Sequence, residues 1–435
     1  MAPRAWYTLF LLHLAYVCSF IDRTLLGMLV VPIKADLGVS DTAMSLLIGA
    51  AFSVFYVTAG IPIARLADRY SRRNVIVVGI VLWSIATSGG ALAASFATLF
   101  LLRVAVAVGE SALSPSALSM LSDLFPKEKL STASGIYSAA VFVGTGLAMF
   151  AGGALIDLLT ASNGLSLGSF GQLRPWQAVF LLAGVPGLLV AALMMLTLRE
   201  PRRRARAEQR DVPSFAEFLR YMYGHRGVYL RLIVATSMFS LMGYALSSWL
   251  PAYFSRNFSL SGTEIGAKLG VMLMVGGGAG VVAGGWLASA LFRTHRDAVC
   301  LIGMGAAVGA LLTGASATLV GNADYGFALA GSAYFFKSMP IGVALAAIVL
   351  VTPSRMHAQS IALYLLIDAL VGFGLGPTAV ALLTDFVFGD EALVGHALAT
   401  VIAIAMPIAF ALYRKARAGY RDLAGGMLAA AEARA

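Results

Sequence analysis

Long runs of apolar residues recur along the whole chain, separated by shorter polar connections. A helix needs about 20 apolar residues to cross the roughly 30 Å hydrocarbon core of a bilayer. The runs reach that length twelve times, which predicts an all-α membrane protein. We number the predicted spans 1 to 12 in chain order: 6–32, 42–66, 73–94, 97–121, 131–157, 177–199, 228–253, 263–290, 298–320, 325–350, 358–384 and 395–414.

The composition supports a membrane protein and argues against an enzyme. Hydrophobic residues make up 59% of the chain, only 12% are charged, and the mean hydropathy is +0.85, whereas about a quarter of the residues of a soluble domain are charged. The five histidines are scattered, and the sequence contains neither a zinc-binding H-E-x-x-H segment nor a phosphate-binding loop. We therefore expect no enzymatic activity, no cofactor, no metal and no ATP-driven pumping.

Basic residues are distributed unevenly among the connections. Most of the 31 lysines and arginines fall in alternate connections and near both chain ends, and the segment 199–226 is rich in arginine. The other connections hold only Lys34, Arg174, Arg256 and Lys268. The positive-inside rule then predicts that both termini are cytoplasmic. The net charge of +10 follows from this topology and needs no nucleic-acid partner.

The connection after span 6 divides the chain into two sets of six spans. Within it, Ser214 and Glu217 form a capping box ahead of apolar residues at helical spacing. They predict a short amphipathic helix, which either lies on the cytoplasmic membrane face or serves as an ordinary linker helix. The expected domains are an N-terminal six-helix bundle (1–198), a basic linker (199–227), a C-terminal six-helix bundle (228–415) and a cytoplasmic tail (416–435).

The two sets of spans repeat each other weakly. The segment ARLADRYSRR (64–73) after span 2 is matched by GWLASALFRTHR (285–296) after span 8, and Pro126 and Pro353 follow spans 4 and 10. Parallel repeats of six helices form two pseudo-symmetric bundles with a substrate site between them near the bilayer midplane. Such bundles permit alternating access by rocking. The pattern is typical of secondary carriers.

The segment 64–73 resembles the cytoplasmic signature of the major facilitator superfamily, G-x-x-x-D-R-x-G-R-R. Its charged residues are all present as Asp68, Arg69, Arg72 and Arg73, although alanine and serine replace the two glycines. The resemblance implies the major facilitator fold and a cytoplasmic gate. In that gate the carboxylate meets the positive end of a helix from the other half, and the arginines pair with neighbouring acids. The alternative is that the arginines only set the topology.

Four ionisable residues lie within the spans of the first half: Asp22 and Arg23 in span 1, Arg103 and Glu110 in span 4. At a rise of about 1.5 Å per residue, Glu110 and the Asp22–Arg23 pair reach similar depths. Arg103, Glu110 and Ser114 share one helix face. Because lipid penalises charge, we expect this face to line a cavity for substrate and proton coupling. The alternative is a structural ion pair that holds span 1 against span 4.

The D-R pair of span 1 and the R…GESALSP segment of span 4 resemble the spinster branch of this superfamily. Three further segments resemble it as well: PIKADLGVSD, WLPAYFSRNFSLSGTEIG and GFGLGPTAVALLTD. That branch carries lysophospholipids or phosphorylated sphingoid lipids. The resemblance implies that Arg23 and Glu110 join substrate binding to proton movement, with Asp22 and Arg103 beside them. Protonation of a carboxylate would then free Arg23 to hold an anionic head group.

A second group of charges lies in the other half of the chain. Lys337 is near the middle of span 10, and Asp368 is about ten residues into span 11. They could pair with each other or take part in the substrate site, or Lys337 could extend its ammonium group towards the membrane surface.

Together these patterns predict a secondary active transporter of an amphipathic anionic lipid that works by alternating access and is coupled to protons. The alternative is a proton symporter of small organic acids such as sugar acids. An apolar lining near Arg23 and Glu110 favours lipid, whereas Asn, Gln and Trp favour sugar acids. The expected partners are a small amphipathic or anionic substrate, protons and membrane lipids. We expect a monomer in the bacterial inner membrane.

Overall fold

The computed structural model of the chain describes residues 3–166, 168, 171–201, 213–292 and 294–432. Among these residues, twelve helical stretches are long and apolar enough to cross a membrane, which confirms the predicted number of spans. Spans 1 to 12 have the bounds Arg4–Met28, Asp41–Arg69, Arg72–Leu92, Phe96–Leu124, Thr132–Ala161, Pro175–Thr197, Arg226–Phe258, Gly262–Phe292, Ala298–Ala317, Ala323–Leu350, His357–Phe388 and Glu391–Met427.

Several spans contain more than one regular helix. The α-helices are α1 (Pro3–Met28), α2 (Val30–Leu37), α3 (Asp41–Ser45), α4 (Ala51–Arg69), α5 (Arg72–Gly89), α6 (Phe96–Glu110), α7 (Leu113–Leu124), α8 (Lys127–Ala161), α9 (Pro175–Thr197), α10 (Phe215–Gly224), α11 (Arg226–Phe258), α12 (Gly262–Met272), α13 (Gly278–Phe292), α14 (Ala298–Ala317), α15 (Ala323–Leu350), α16 (His357–Asp368), α17 (Gly376–Leu382) and α18 (Val394–Glu432). Strands β1 (Leu165–Ser166) and β2 (Gln172–Leu173) pair antiparallel between α8 and α9.

Three spans contain segments of π-helix, in which each hydrogen bond encloses one extra residue. These segments are Leu46–Ala50 in span 2, Leu273–Gly277 in span 8, and Ala369–Leu375 with Leu383–Phe388 in span 11. Such segments are rare and occur frequently at functional sites. Span 4 is interrupted differently, by a turn between α6 and α7. The interruptions in spans 2, 4 and 11 lie beside the charged residues Arg103, Glu110 and Asp368.

The short helix α10 begins with the predicted capping box. Ser214 Oγ accepts a hydrogen bond from the backbone N–H of Glu217 at 3.2 Å, and a Glu217 carboxylate oxygen accepts one from the N–H of Ser214 at 2.8 Å. Phe218 and Met222 on one face of this helix are buried, whereas Phe215 is exposed. The helix forms where the sequence predicts it, but Leu219 is exposed as well as Phe215, and the amphipathic character of the linker stays a prediction. The rest of the predicted linker, 202–212, lies outside the described residues.

The chain divides into two compact units. The first comprises Met1–Ala205, Ser247–Met274 and Thr384–Ala392, and the second comprises Arg206–Leu246, Val275–Leu383 and Leu393–Ala435. Each unit therefore contains segments from both halves of the sequence. The two six-helix bundles and the boundaries drawn from the sequence stay a prediction.

Span 12 continues as one helix beyond the predicted boundary at 414. Helix α18 runs to Glu432, and Tyr420 and Ala424 within this extension are fully buried. Arg417 Nε donates a hydrogen bond of 2.7 Å to Oδ2 of Asp297, in the turn before α14. Partial burial acts to raise the pKa of Asp297, but the bond from Arg417 outweighs this effect and the pKa is lowered. The predicted tail is thus a packed extension of the last span.

Spans 3 and 4 approach each other closely at a pair of glycines in the first unit. A Cβ atom built on Gly109 would lie 2.7 Å from the carbonyl oxygen of Gly79 and 2.8 Å from the backbone nitrogen of Trp83. Small residues at such contacts let the two backbones pack together within a membrane. The contact holds the end of α6 against span 3, and Glu110 is the next residue along the chain.

We expect Gly109→Ala to lower the thermal stability of the detergent-solubilised protein, because the new methyl group would overlap backbone atoms that cannot turn away. Overpacking of this kind costs about 1–3 kcal/mol. The measurement is the apparent melting temperature. The matched control is Gly285→Ala in α13, where a Cβ atom would meet nothing within 4 Å. Equal melting temperatures for the two variants would contradict the proposed role of the contact.

Candidate functional site

Arg23 and Glu110 form a buried ion pair between spans 1 and 4. The Nε and Nη2 atoms of Arg23 each lie 2.6 Å from Oε2 of Glu110. Ser19 Oγ donates a third hydrogen bond to the same oxygen at 2.7 Å. The side chain of Glu110 is fully buried and that of Arg23 is 11% exposed. Three donors therefore converge on one carboxylate oxygen, which stabilises the charged form of the acid.

The local fold explains why these side chains meet. Ser19 and Arg23 are four residues apart in α1 and thus project from the same helix face. Glu110 is the last residue of α6, and the chain turns at 111–112 before α7 begins. The glycine contact beside Glu110 fixes this turn against span 3. Sequence spacing alone could have identified Ser19, because it lies one helical turn from Arg23.

Asp22 lies on a different face of span 1, towards span 3. Thr87 Oγ1 donates a hydrogen bond of 3.1 Å to Oδ2 of Asp22, and Asp22 is only 4% exposed. A small cavity of about 20 Å³ separates the Asp22 side chain from Arg103. That volume is sufficient for one water molecule. Asp22 and Arg103 therefore both line a cavity that has room for one water molecule.

Arg103 is held in this position by backbone and aromatic groups. Its Nε atom donates a hydrogen bond of 3.1 Å to the carbonyl oxygen of Leu47, which lies in the π-helical segment of span 2. Its guanidinium carbon lies 4.6 Å from the centre of the Phe52 ring. Arg103 is only 7% exposed. Its charged group therefore lies in the interior, where the contacts described are one backbone carbonyl oxygen and one aromatic ring.

Three aromatic rings surround the guanidinium group of Arg23. Its central carbon lies 4.9 Å from the Phe20 ring centre, 4.7 Å from that of Phe52 and 5.0 Å from that of Tyr56. Each distance is within the range of cation–π attraction, which strengthens when the cation is desolvated. Phe52 thus contacts both arginines. None of these rings was identified from the sequence. Phe52 and Tyr56 contact Arg23 through the packing of span 2. Phe20, in contrast, is three residues before Arg23 in the same helix, and its spacing could have identified it.

Ser114 forms a separate contact. Its hydroxyl lies 3.0 Å from the hydroxyl of Tyr137, whose ring is stacked on that of Tyr16 with centres 4.6 Å apart. The sequence prediction placed Ser114 on one face with Arg103 and Glu110. The turn between α6 and α7 interrupts that face, and the hydrogen bond described for Ser114 goes to span 5.

Asp22, Arg23, Arg103 and Glu110 together carry no net charge, because two are acids and two are bases. Several of their polar atoms nevertheless lack a hydrogen-bond partner. Asp22 Oδ1, Glu110 Oε1 and Arg103 Nη2 are buried without a hydrogen-bond partner in the structure. More than nine in ten buried polar groups have a partner, and an unsatisfied one costs about 1–3 kcal/mol or more when charged. The site therefore retains binding capacity for a proton, a water molecule or a ligand.

Within the segment 64–73, Arg72 is the centre of a polar network. Its Nε atom donates to Glu200 at 2.8 Å and its Nη1 atom to Asp123 at 2.5 Å. It also bonds the carbonyl and hydroxyl oxygens of Ser119, at 3.1 Å and 3.0 Å. The backbone N–H of Arg73 donates to Glu200 at 2.8 Å. This network joins the start of span 3 to the ends of spans 4 and 6.

The other two charged residues of the segment are placed differently. Asp68 and Arg69 are exposed at the end of span 2, whereas Arg72 is 3% exposed. A gate formed by all four residues stays a prediction.

A second buried charge network in the first unit was not identified from the sequence. Asp41, at the start of span 2, is fully buried and accepts hydrogen bonds from Arg256 at 2.7 and 2.8 Å and from Lys34 at 2.8 Å. Glu391 lies 2.7 Å from the Lys34 ammonium group. Arg256 is 215 residues from Asp41 in the chain, and no local pattern indicates such a contact.

Two further carboxylates bind the first backbone N–H groups of neighbouring spans. Asp157 accepts from Gly262 at 2.9 Å and from Thr263 at 2.7 Å, at the start of span 8. Asp385 accepts from Thr42 at 2.7 Å, at the start of span 2. A negative charge at a helix N-terminus is favourable because the free N–H groups carry positive partial charge. These contacts join parts of spans 2, 5, 8 and 11 within the first unit.

Lys337 and Asp368 lie together in the second unit. They interact electrostatically, and the hydroxyl groups of Ser237 and Ser240 in span 7 adjoin the Asp368 carboxylate.

Comparison with known proteins identifies the class to which this fold belongs. The family model of the Major Facilitator Superfamily matches residues 12–377. The chain therefore belongs to the major facilitator superfamily. It is an integral membrane transporter and not an enzyme, as the sequence predicts.

Individual relatives narrow this assignment. A solved bacterial homologue of the human lysosomal transporter spinster, in an inward-facing and unoccupied conformation, matches with a TM-score of 0.81 and 28% identity, covering 98% of each chain. An MFS-type efflux pump of Mycolicibacterium smegmatis is 28% identical over 427 residues, 96% of this chain and 94% of the pump. A sphingosine-1-phosphate transporter of Xenopus tropicalis is 24% identical over 394 residues, 87% of this chain and 73% of that protein. Within the superfamily, the chain is a transporter of spinster type.

We expect Asp41→Asn to destabilise the protein strongly, because two buried cations would lose their shared counter-charge. Removing one partner of a buried ion pair costs about 3–5 kcal/mol. The readout is thermal unfolding in detergent. The control is Asp36→Asn, whose partner Arg174 is 55% exposed, since exposed pairs contribute about 0–1 kcal/mol. An effect no larger than that of Asp36→Asn would show that the Asp41 network is not stabilising.

Proposed function

We propose that the protein carries an amphipathic anionic lipid, of the lysophospholipid or sphingoid-phosphate type, across a bacterial inner membrane by proton-coupled alternating access. Both termini would be cytoplasmic, in accordance with the distribution of basic residues. The observation that carries the proposal is the buried Arg23–Glu110 pair, in which one acid oxygen binds three donors and the other binds none.

The coupling follows from competition for Arg23. While Glu110 is ionised, the guanidinium group of Arg23 stays hydrogen-bonded to Oε2 of that acid. A proton arriving at Glu110 removes the charge that holds Arg23, and the planar fork of the arginine is then free to bind a phosphate or carboxylate through two hydrogen bonds. Release of the substrate allows Glu110 to ionise and the pair to form again. Proton and substrate binding are thereby linked at one residue.

Asp22 and Arg103 give this exchange a second proton site and a second cation. Both have buried, unpartnered polar atoms and they face the same small cavity. When Arg23 leaves Glu110, Arg103 remains in the group as a positive charge that favours the ionised form of either acid. The two arginines and two acids would therefore exchange charge among themselves without leaving an isolated ion in the interior, which would be costly.

The residues around the charged group favour a lipid over a sugar acid. The rings of Phe20, Phe52 and Tyr56 surround Arg23. Apart from Asp22, Thr87 and Arg103, the small cavity near them is lined by glycine and apolar side chains. This cavity has room for one water molecule, so it shows how apolar the surroundings are and is not itself the space for an acyl chain. Polyhydroxylated acids need many hydrogen-bond partners, whereas an acyl chain needs apolar contact. The sphingosine-1-phosphate transporter among the relatives supports the same substrate class.

We also propose that the segment 64–73 forms the cytoplasmic gate. Arg72 would be its fixed part, because this residue is buried and bound to Asp123 and Glu200. Asp68 and Arg69 would be its moving part, because they are exposed at the end of span 2.

The coupling role is tested in proteoliposomes with Glu110→Gln, which keeps a hydrogen-bond acceptor but has no titratable proton. A gradient of one pH unit is worth about 1.4 kcal/mol, or about tenfold accumulation, for each coupled proton. We expect the variant to lose this gradient-driven accumulation while it still exchanges lipid down its own gradient. Asp422→Asn, an exposed acid of α18, is the control. Full pH-gradient dependence in Glu110→Gln would refute the coupling mechanism.

The substrate class is tested by measuring binding to the detergent-solubilised protein. We expect a lysophospholipid to bind and a hexuronate not to bind. Arg23→Ala should weaken lipid binding about 10- to 100-fold, since a hydrogen bond to a charged group contributes about 1.5–3 kcal/mol. Arg23→Lys should recover part of the loss, because it restores the charge without the planar fork. Tight hexuronate binding that depends on Arg23 would instead establish the sugar-acid alternative.

A further inference from the structure

A polar group lies in the second unit, apart from the charges of the first. It consists of Lys337 in span 10, Asp368 in span 11, and Ser237 and Ser240 in span 7, and we call it the Lys337–Asp368 cluster. The two charged groups interact, and both serine hydroxyls adjoin the carboxylate. Three spans thus place one cation, one anion and two hydroxyl groups together within the second unit.

The chain satisfies this cluster only in part. Oδ1 of Asp368 is buried without a hydrogen-bond partner, and so is the hydroxyl of Ser237, a residue with no exposed surface. A pair that served only to hold two helices together would be expected to saturate its carboxylate, because an unsatisfied buried group is costly. The unmet hydrogen bonds indicate a site that a ligand completes.

The backbone is adapted to the cluster at several points. Asp368 is the last residue of α16, and the π-helical segment Ala369–Leu375 begins directly after it. A Cβ atom on Gly243 would lie 2.8 Å from the Lys337 ammonium nitrogen, and one on Gly372 would lie 2.6 Å from Cβ of Ser240. Two glycines therefore make room for this lysine and for close packing of spans 7 and 11, and a helix distortion follows the acid. Distortions of this kind occur frequently at functional sites.

The charge pattern identifies the ligand. A purely anionic group would suit Lys337 but would be repelled by Asp368, and a cation would meet the opposite problem. A group that carries both charges satisfies both residues and leaves the cluster neutral. We propose that the Lys337–Asp368 cluster binds the zwitterionic head group of the transported lipid, with its phosphate on Lys337 and its ammonium on Asp368.

This inference rests on the proposed lipid function and narrows its head group: the lipid carries an ammonium group in addition to the anionic phosphate. The hydroxyls of Ser237 and Ser240 supply donors and acceptors for the same head group. Because a carrier binds its substrate in more than one state, the phosphate can be held by Arg23 at one step and by Lys337 at another. Asp368 is then the specificity-determining residue, since it alone distinguishes a zwitterionic lipid from an anionic one.

The test compares two lipids with the same acyl chain, lysophosphatidylethanolamine and lysophosphatidic acid, in binding to the full-length protein in detergent. The wild type should bind the zwitterionic lipid about tenfold more tightly. Asp368→Asn should abolish this preference by weakening the zwitterionic lipid alone, and Lys337→Gln should weaken both. Asp324→Asn, an exposed acid at the start of the same span as Lys337, should change neither.

Ser237→Ala provides a milder variant if Asp368→Asn does not fold, and it should reduce the same preference. An unchanged ratio of affinities in Asp368→Asn, or in Ser237→Ala where the first cannot be purified, would overturn this inference and leave the proposed function intact. Failure of the wild type to bind either lipid would overturn the proposed function, and this inference with it.

Discussion

The cost of placing charge in hydrocarbon is the constraint on which the rest of this structure depends. Asp22, Arg23, Arg103 and Glu110 lie in helices of a membrane protein, where each would be strongly unfavourable alone. Arg23 and Glu110 reduce this cost by direct contact at 2.6 Å. Arg103 relies on the Leu47 carbonyl oxygen and the Phe52 ring. The packing of spans 1 to 4 must therefore bring these charged side chains to their partners.

The same constraint explains why the site is suited to exchange. A fully satisfied network would be stable but inert, because every proton or ligand would have to displace an existing bond. Here Glu110 uses one oxygen for all three of its donors, and its other oxygen is unpartnered. The acid can therefore accept a proton at Oε1 before the bonds at Oε2 break. An oxygen that is open to a proton is what the proposed coupling requires, and leaving it without a partner comes at the expense of stability.

Much of the fold was predictable from the sequence, because every spanning segment must satisfy its own backbone and hydropathy therefore reveals it. The similar depth of Glu110 and Asp22 followed from the helical rise alone. The residues that contact these charges could not be predicted from the sequence. Thr87, Leu47 and Phe52 reach the charges only through helix rotation and packing, and Asp41 meets Arg256 across 215 residues. The contact of Ser114 with Tyr137 depends on a turn inside span 4. Pro115 lies just after this turn and has no backbone N–H to donate to residue 111, but hydropathy alone predicts the span as one continuous helix.

The two units place their membrane acids in a similar way. Glu110 ends α6 just before a turn, and Asp368 ends α16 just before a π-helical segment. Each acid has one buried oxygen without a partner and interacts with a basic residue on another span. At such a position the regular hydrogen bonding of the helix stops, so the backbone can shift without breaking an intact helical turn. In the proposed transport cycle, an acid placed there would change its partner and pass that change on to the helix that follows it, and this step would link a binding event to the movement of a span.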